Sequence, residues 1–190
     1  IKGLNVTIPY KEKIIPYLDN LDNQARIIGA VNTIKVLEDG SLKGYNTDHY
    51  GFSKALSSYP AITNKTALIL GNGGASKAIR YALDTLGYSC TTVSRNKNQD
   101  TISYKQVTKQ VLEKHTLIVN TTPLGVAPDV LKCPEIPYRH LTKEHFLFDL
   151  IYNPQKTAFL KHGLAKGATI ANGSKMLEYQ AQEAWSIWNS

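Results

Sequence analysis

Residues 66–76, TALILGNGGAS, constrain this chain more than any other stretch. The apolar run TALIL, short and closed by glycine, reads as a buried strand. A helical pattern over residues 75–86 follows at once. Between them Gly71 suits a tight turn, and Gly73 leaves its backbone open to close approach by another group. Strand, glycine turn and helix in this order form a dinucleotide-binding fingerprint, in which a pyrophosphate meets the free N–H groups and positive dipole end of the helix. Ala75 or Ser76 stands where a third glycine usually lets helix and strand pack closely. A glycine-rich turn without a ligand is the alternative reading.

The rest of the chain repeats the strand–helix alternation. Residues 90–93, 117–120, 146–150 and 169–171 are further strand candidates, with helical patterns between most of them. Such alternation predicts an α/β fold, a Rossmann-type doubly wound parallel sheet with helices on both faces. Before residue 61 the pattern changes. Residues 5–8 and 31–37 read as strands, and residues 10–18, 24–28 and 48–58 as helices. The turn signal Glu38-Asp39-Gly40-Ser41 lets 31–37 pair with 42–45 as a hairpin. The stretch SSYPAITN, 57–64, reads as a boundary. Three parts are therefore expected, 1–60, 61–173 and 174–190. The last is a helix with a wide apolar face (Met176, Leu177, Tyr179, Ala181, Ala184, Trp185, Trp188) that touches more than one element and packs back toward the first part.

The end of the second strand selects a cofactor. A strand of this kind in an NAD enzyme usually carries an acid that binds the ribose hydroxyls. Here Val93 is followed by Ser94-Arg95-Asn96-Lys97, with no acid. A carboxylate would repel a 2′-phosphate, whereas Arg95 can grip one with its planar fork, aided by Ser94 and Lys97. NADP is the expected cofactor. The formal net charge of +7 agrees with an anionic ligand, and the lysines are scattered, with no basic-aromatic pattern or reader motif for nucleic acid. No apolar run approaches the roughly 18–20 residues of a membrane span, and no signal peptide is visible. Cys90 and Cys133 fit a cytosolic protein with free thiols. None of the five histidines sits in a metal or base pattern, so all five read as surface or structural and no metal is expected.

Lys11 stands just after a strand candidate, in the first turn of the helix read at 10–18, with Pro9 suited to that helix start. Asp48 also opens a helix, with Thr47 or Asp48 as its cap. A cation in a first turn opposes the helix dipole, which suggests a role other than structure. A lysine beside an aspartate can handle a proton at a hydroxyl or carbonyl. By spacing alone, two unrelated surface charges is the plainer reading.

Seven segments in order change that: NVTIPYK (5–11), GAVNT (29–33), GYNTD (44–48), GNGGAS (71–76), NTTPLG (120–125), DLIYNP (149–154) and NGSKMLEYQA (172–181). Together they resemble the shikimate dehydrogenase family from the first residues to the last helix. The resemblance implies that Lys11 and Asp48 are the catalytic pair. It implies substrate contacts from Thr7, Lys11, Asn32, Asp48, Tyr152 and Gln180. It implies cofactor contacts from Gly71, Asn72, Gly73, Gly74, Ala75 and Ser76, from Ser94, Arg95 and Lys97, and from Asn120, Thr121, Thr122, Gly173 and Met176, with Met176 near the nicotinamide. The implied reaction is NADP-dependent reduction of 3-dehydroshikimate to shikimate by a monomer or homodimer. A quinate dehydrogenase is the near rival, and an inactive NADP-binding regulatory relative the more distant one.

One family feature has no counterpart. The family begins with a strand and a Ser-x-Ser-Pro segment for the substrate carboxylate, and nothing here matches it. The chain starts at Ile1 and its only methionine is Met176. The expectation is a fragment or processed product with an incomplete α/β substrate domain, binding NADP(H) but turning over shikimate poorly when alone.

Overall fold

The computed structural model describes residues 1–60, 62–96 and 99–190. Two sheets organise them. The smaller is built from β1 (Gly3–Asn5), β2 (Asn20–Leu21), β3 (Thr33–Val36) and β4 (Leu42–Tyr45), in the order β1-β3-β4-β2. The hairpin read at the 38–41 turn is present: β3 and β4 pair antiparallel, Thr33 opposite Tyr45 and Val36 opposite Leu42. The short helix α1 (Asn23–Ile28) opens on Asp22, whose carboxylate accepts from Gln24 N, and closes on Gly29 at a φ of 68°. That left-handed C-cap suits a residue without a Cβ.

The larger sheet holds β5 (Thr66–Leu70), β6 (Ser89–Val93), β7 (Thr101–Ile102), β8 (Leu117–Asn120), β9 (Phe146–Asp149) and β10 (Thr169–Ala171). Its order is β10-β9-β8-β5-β6-β7, every pair parallel. Counted within this sheet alone, that is the 3-2-1-4-5-6 order of a doubly wound dinucleotide-binding fold, with the strand order reversing between β5 and β8.

Side-chain alternation divides the core in two. Ala67, Ile69, Leu117, Val119, Phe146 and Phe148 face one layer of helices: α2 (Asp48–Leu56), α3 (Gly74–Thr85) and α6 (Ser174–Asn189). Leu68, Leu70, Ile118 and Leu147 face the other, α4 (Lys109–Lys114) and α5 (Ala158–Leu164), through Leu112, Phe159 and Leu160. Helix α2 precedes residue 61, yet Phe52, Ala55 and Leu56 pack into the core of the large sheet. Helix α6 lies along α2 and reaches the small sheet, where Trp188 Nε1 donates to the Ile34 carbonyl at 2.9 Å. Gly3 permits that contact, since a Cβ there would overlap the Trp188 indole.

The structure corrects the reading of residues 5–18. The first strand is Gly3–Asn5, and the chain turns away after Val6 through a cis Ile8–Pro9 peptide. The helix expected over 10–18 is instead a run of turns with one 3₁₀ turn at Ile15–Tyr17. Pro16 is the reason: it has no N–H to donate within an α-helix and its ring crowds the preceding turn.

Candidate active site

At the C-terminal edge of β5, Gly71 adopts a φ of 116°, and a Cβ there would lie 2.6 Å from Thr121 Oγ1. The glycine thus allows both the turn and the approach of the loop after β8. Thr121 Oγ1 donates to the Leu70 carbonyl at 2.8 Å, and Ser76 Oγ donates to the Gly71 carbonyl at 2.7 Å. Ser76 is buried, so its hydroxyl braces the loop from inside. Asn72 and Gly73 are exposed on the outer side, and a Cβ on Gly73 would meet no atom within 4 Å. The open space beside Gly73 and the free first turn of α3 fit a pyrophosphate. Ser94 and Arg95 follow β6, with Arg95 exposed and its charge acting on the Tyr104 phenol. An arginine and no acid at this strand end fits a 2′-phosphate. Lys97 lies outside the described residues.

Asn120 is fully buried and turned inward. Its amide nitrogen donates to Asp149 Oδ1 at 3.0 Å, while Oδ1 accepts from Thr122 N at 3.0 Å and Thr122 Oγ1 at 2.7 Å. Asp149 also accepts from Ile151 N at 3.1 Å and from Thr157 Oγ1 at 2.5 Å. Burial pushes its carboxyl up to about 6, against the three hydrogen bonds that favour the charged form. This buried network fixes the loops after β8 and β9. Sequence reasoning misses it; only the run NTTPLG and the aspartate ending FLFD hint at it.

The second cluster is polar and lies between the two sheets. Lys11 Nζ sits 2.6 Å from Asp48 Oδ2, with both side chains largely shielded from solvent. Asn32 Nδ2 donates to Asp48 Oδ1 at 3.0 Å, to Thr47 Oγ1 at 3.0 Å and to Gln180 Oε1 at 3.3 Å. Asn32 Oδ1 in turn accepts from Thr47 N at 2.7 Å and from Thr33 Oγ1 at 3.1 Å. Residues as distant in sequence as 11, 32, 48 and 180 thus meet in one place. Lys11 does not stand in a helix first turn, so the dipole argument for it falls. What holds it is the Val31 N–H, which donates to its carbonyl at 2.7 Å, and the glycine loop: a Cβ on Gly74 would lie 3.0 Å from Lys11 Cβ.

Thr47 holds the N-cap position of α2, as the sequence suggests, but the side-chain hydrogen bond comes from its neighbour. Neither the Thr47 nor the Asp48 side chain caps the helix. Asn46 does, its Oδ1 accepting from Asp48 N at 3.0 Å while its Nδ2 donates to the Ala30 carbonyl at 2.9 Å. Asp48 is thereby left free to face Lys11 and Asn32.

Four more of the expected residues lie outside this hydrogen-bonded cluster. Thr7 is exposed, and its carbonyl accepts from Tyr10 N at 2.8 Å. Tyr152 is half exposed just past β9. Met176 is buried in the core against the large sheet. Gly173 is pressed onto the Leu150 carbonyl, which a Cβ would overlap. His49, read from the sequence as surface or structural, sits beside Asp48 and edge-on to Tyr81 at 5.2 Å. Burial holds its imidazole below the usual value, opposed by the charges of Asp22 and Asp48.

The family model of the shikimate dehydrogenase substrate binding domain matches residues 1–34. The NADP(+) shikimate dehydrogenase of Clostridium botulinum (strain Hall) is 41% identical over 99% of this chain and 76% of its own length. The chain belongs to the shikimate dehydrogenase family. Solved structures of that family agree. Shikimate dehydrogenase from Aquifex aeolicus superposes with a TM-score of 0.88 at 38% identity, covering 100% of this chain and 72% of that one. The enzyme from Thermus thermophilus, solved with NADP(H) and shikimate, gives 0.85 at 31% identity, covering 99% and 73%. The family's α/β architecture, with its six-stranded parallel sheet, is the one described above.

Proposed function

We infer that this chain serves the NADP-dependent interconversion of 3-dehydroshikimate and shikimate, the reaction expected above to run slowly when the chain acts alone. The observation that carries the reading is the Lys11–Asp48 pair, 2.6 Å apart and lying against the glycine loop. The nicotinamide supplies the hydride exchange when bound. We propose that Gly71–Ser76 and Thr121–Thr122 seat the pyrophosphate side of that cofactor and that Ser94 and Arg95 take its 2′-phosphate. Lys11 and Asp48 hold and move the proton at the reacting oxygen. Asn32 and Gln180 present amides to neighbouring hydroxyls, and Tyr152, exposed just past β9, offers its phenol as a further substrate contact. Asn120 acts through Thr122 and Asp149, and Ser76 through the loop carbonyl it braces.

The polar character of the cluster favours a polyhydroxylated substrate over an apolar one. Among the described residues no helix is long and apolar enough to cross a membrane. We further propose a monomer or homodimer in the cytoplasm, where thiols such as Cys90 and Cys133 remain reduced.

The test is steady-state NADP reduction by the purified chain with shikimate and with quinate, each also with NAD. Shikimate with NADP should give the highest kcat/KM; preference for quinate with NAD would replace this reading. Lys11→Ala should keep NADP binding and lose turnover by about 10²–10⁴-fold, the usual contribution of a positioned proton-transfer group. Unchanged turnover would refute the role of Lys11.

A further inference from the structure

Gly73 and Gly74 are consecutive residues of one loop, yet they face different things. Gly73 has a φ of −102°, which any side chain tolerates, and its Cα opens onto space with no atom within 4 Å. Gly74 faces inward. A Cβ there would stand 3.0 Å from Lys11 Cβ, 3.4 Å from Ala30 Cβ and 3.7 Å from Lys11 Cδ. The first of these is tighter than an ordinary carbon contact. Two further links tie the same pair of segments. Lys77, three residues along α3, places Nζ 2.5 Å from Glu12 Oε2. Ile28 and Ala30 pack on Ala78 of the same helix.

We propose that Gly74 is a positioning residue for Lys11, the bare Cα on which the lysine stem rests. The loop that takes the cofactor then also fixes where the ammonium meets Asp48. This rests on the reading of Lys11 as the proton-handling group. Gly73 serves approach of the ligand, and Gly74 serves the geometry of the pair. The physical reason lies in the two ends of the lysine. Its ammonium is held at 2.6 Å by Asp48 and its backbone carbonyl by Val31 N. A methyl group inserted at residue 74 must displace the stem by a few tenths of an ångström. The chain between the two anchors can absorb that only by leaving a staggered rotamer or by lengthening the ion pair.

The experiment compares Gly74→Ala with Gly73→Ala in the full chain, reading three quantities: NADP dissociation by fluorescence titration, kcat at saturating cofactor, and the pH profile of kcat. Gly74→Ala should lower kcat by about 10–100-fold, as expected for small misplacement of a reacting group, and shift its pH profile; because alanine keeps the backbone N–H at this position, its loss of NADP affinity should be smaller than that of Gly73→Ala. Gly73→Ala should do the reverse, weakening NADP binding by about ten-fold or more because the new methyl stands where the pyrophosphate approaches. Equal loss of NADP affinity in both variants, or an unaltered kcat and pH profile in Gly74→Ala, would overturn the proposal. Failure of the Lys11 reading is separately visible, as wild-type turnover in Lys11→Ala. If Gly74→Ala does not accumulate as folded protein, the double variant Lys11→Gly with Gly74→Ala removes the clashing stem. It should fold and bind NADP as Lys11→Gly does; failure to do so would overturn the proposal too.

Discussion

Asn32 Nδ2 stands 3.0 Å from Asp48 Oδ1, on the carboxylate oxygen opposite the one that meets Lys11. Asp48 is therefore held from both sides, by a neutral amide and by an ammonium. Asn32→Asp keeps the shape of the side chain but replaces that donor with a second carboxylate. Buried like charges and lost donors together should cost about 2–4 kcal/mol of stability at neutral pH. Denaturant midpoints of the two proteins measure this, and coincident curves would remove Asn32 from its place as the hub of the cluster.

Gly51 sets how closely α2 and α6 approach. A Cβ there would lie 2.7 Å from the Met176 carbonyl and 2.9 Å from Gln180 Cβ. Backbone does not yield as a flexible side-chain tip does, so Gly51→Ala should push α6 outward. The expected cost is about 1–3 kcal/mol, the usual range for overpacking. Gln180 would move away from Asn32 and Thr47, so KM for shikimate should rise more than KM for NADP. Thermal melts and paired KM values check both parts.

Asp149 makes stability depend on pH with a definite sign. Its folded carboxyl titrates near 6 because of burial, whereas an unfolded aspartate titrates near about 3.9. The folded state holds the proton more tightly, so ionisation costs stability, and the cost grows as pH rises from about 4 to 6 and is constant above. Asp149→Asn lacks that titration. The unfolding free energy of the wild type minus that of Asp149→Asn should fall by about 2 kcal/mol between pH 4 and pH 7. A difference that stays flat across this range would contradict it.

Arg95 is exposed at the end of β6, and its contribution should appear as discrimination between cofactors. Charge-assisted hydrogen bonds to phosphate contribute about 1.5–3 kcal/mol. Arg95→Ala should therefore reduce the ratio of kcat/KM for NADP over NAD by about 10–100-fold, chiefly through KM for NADP. An unchanged ratio would assign the preference to other residues.

The large sheet was legible because its signals are local. Ala67 and Ile69 face one helix layer and Leu68 and Leu70 the other, and TALIL before glycines announces that arrangement. The hairpin was legible from its turn residues. The stretch around Lys11 was not, because Pro16 cancels a helical pattern that apolar spacing alone supports. Strand β7 is only two residues long, too short for alternation to register. In the polar cluster, residue types pointed to Lys11, Asn32, Asp48 and Gln180 through family resemblance. The work of Asn46 as cap and of Gly74 as a seat depends on what packs against them from remote parts of the chain, and no local pattern encodes that.

Helix α6 carries Met176 in the sheet core near its start, Gln180 in the polar cluster a turn later, and Trp188 on the Ile34 carbonyl near its end. From Met176 to Trp188 the rod is about 18 Å long, so a tilt of about 3° at its base moves its tip by about 1 Å. Both tryptophans of the chain ride on this helix: Trp185 is 67% exposed, and Trp188 is bonded to the small sheet. The protein consequently carries its own optical gauge. Intrinsic tryptophan emission originates only at the far end of the lever, so a change in Trp188 emission reports loosening between the two sheets without any label being added.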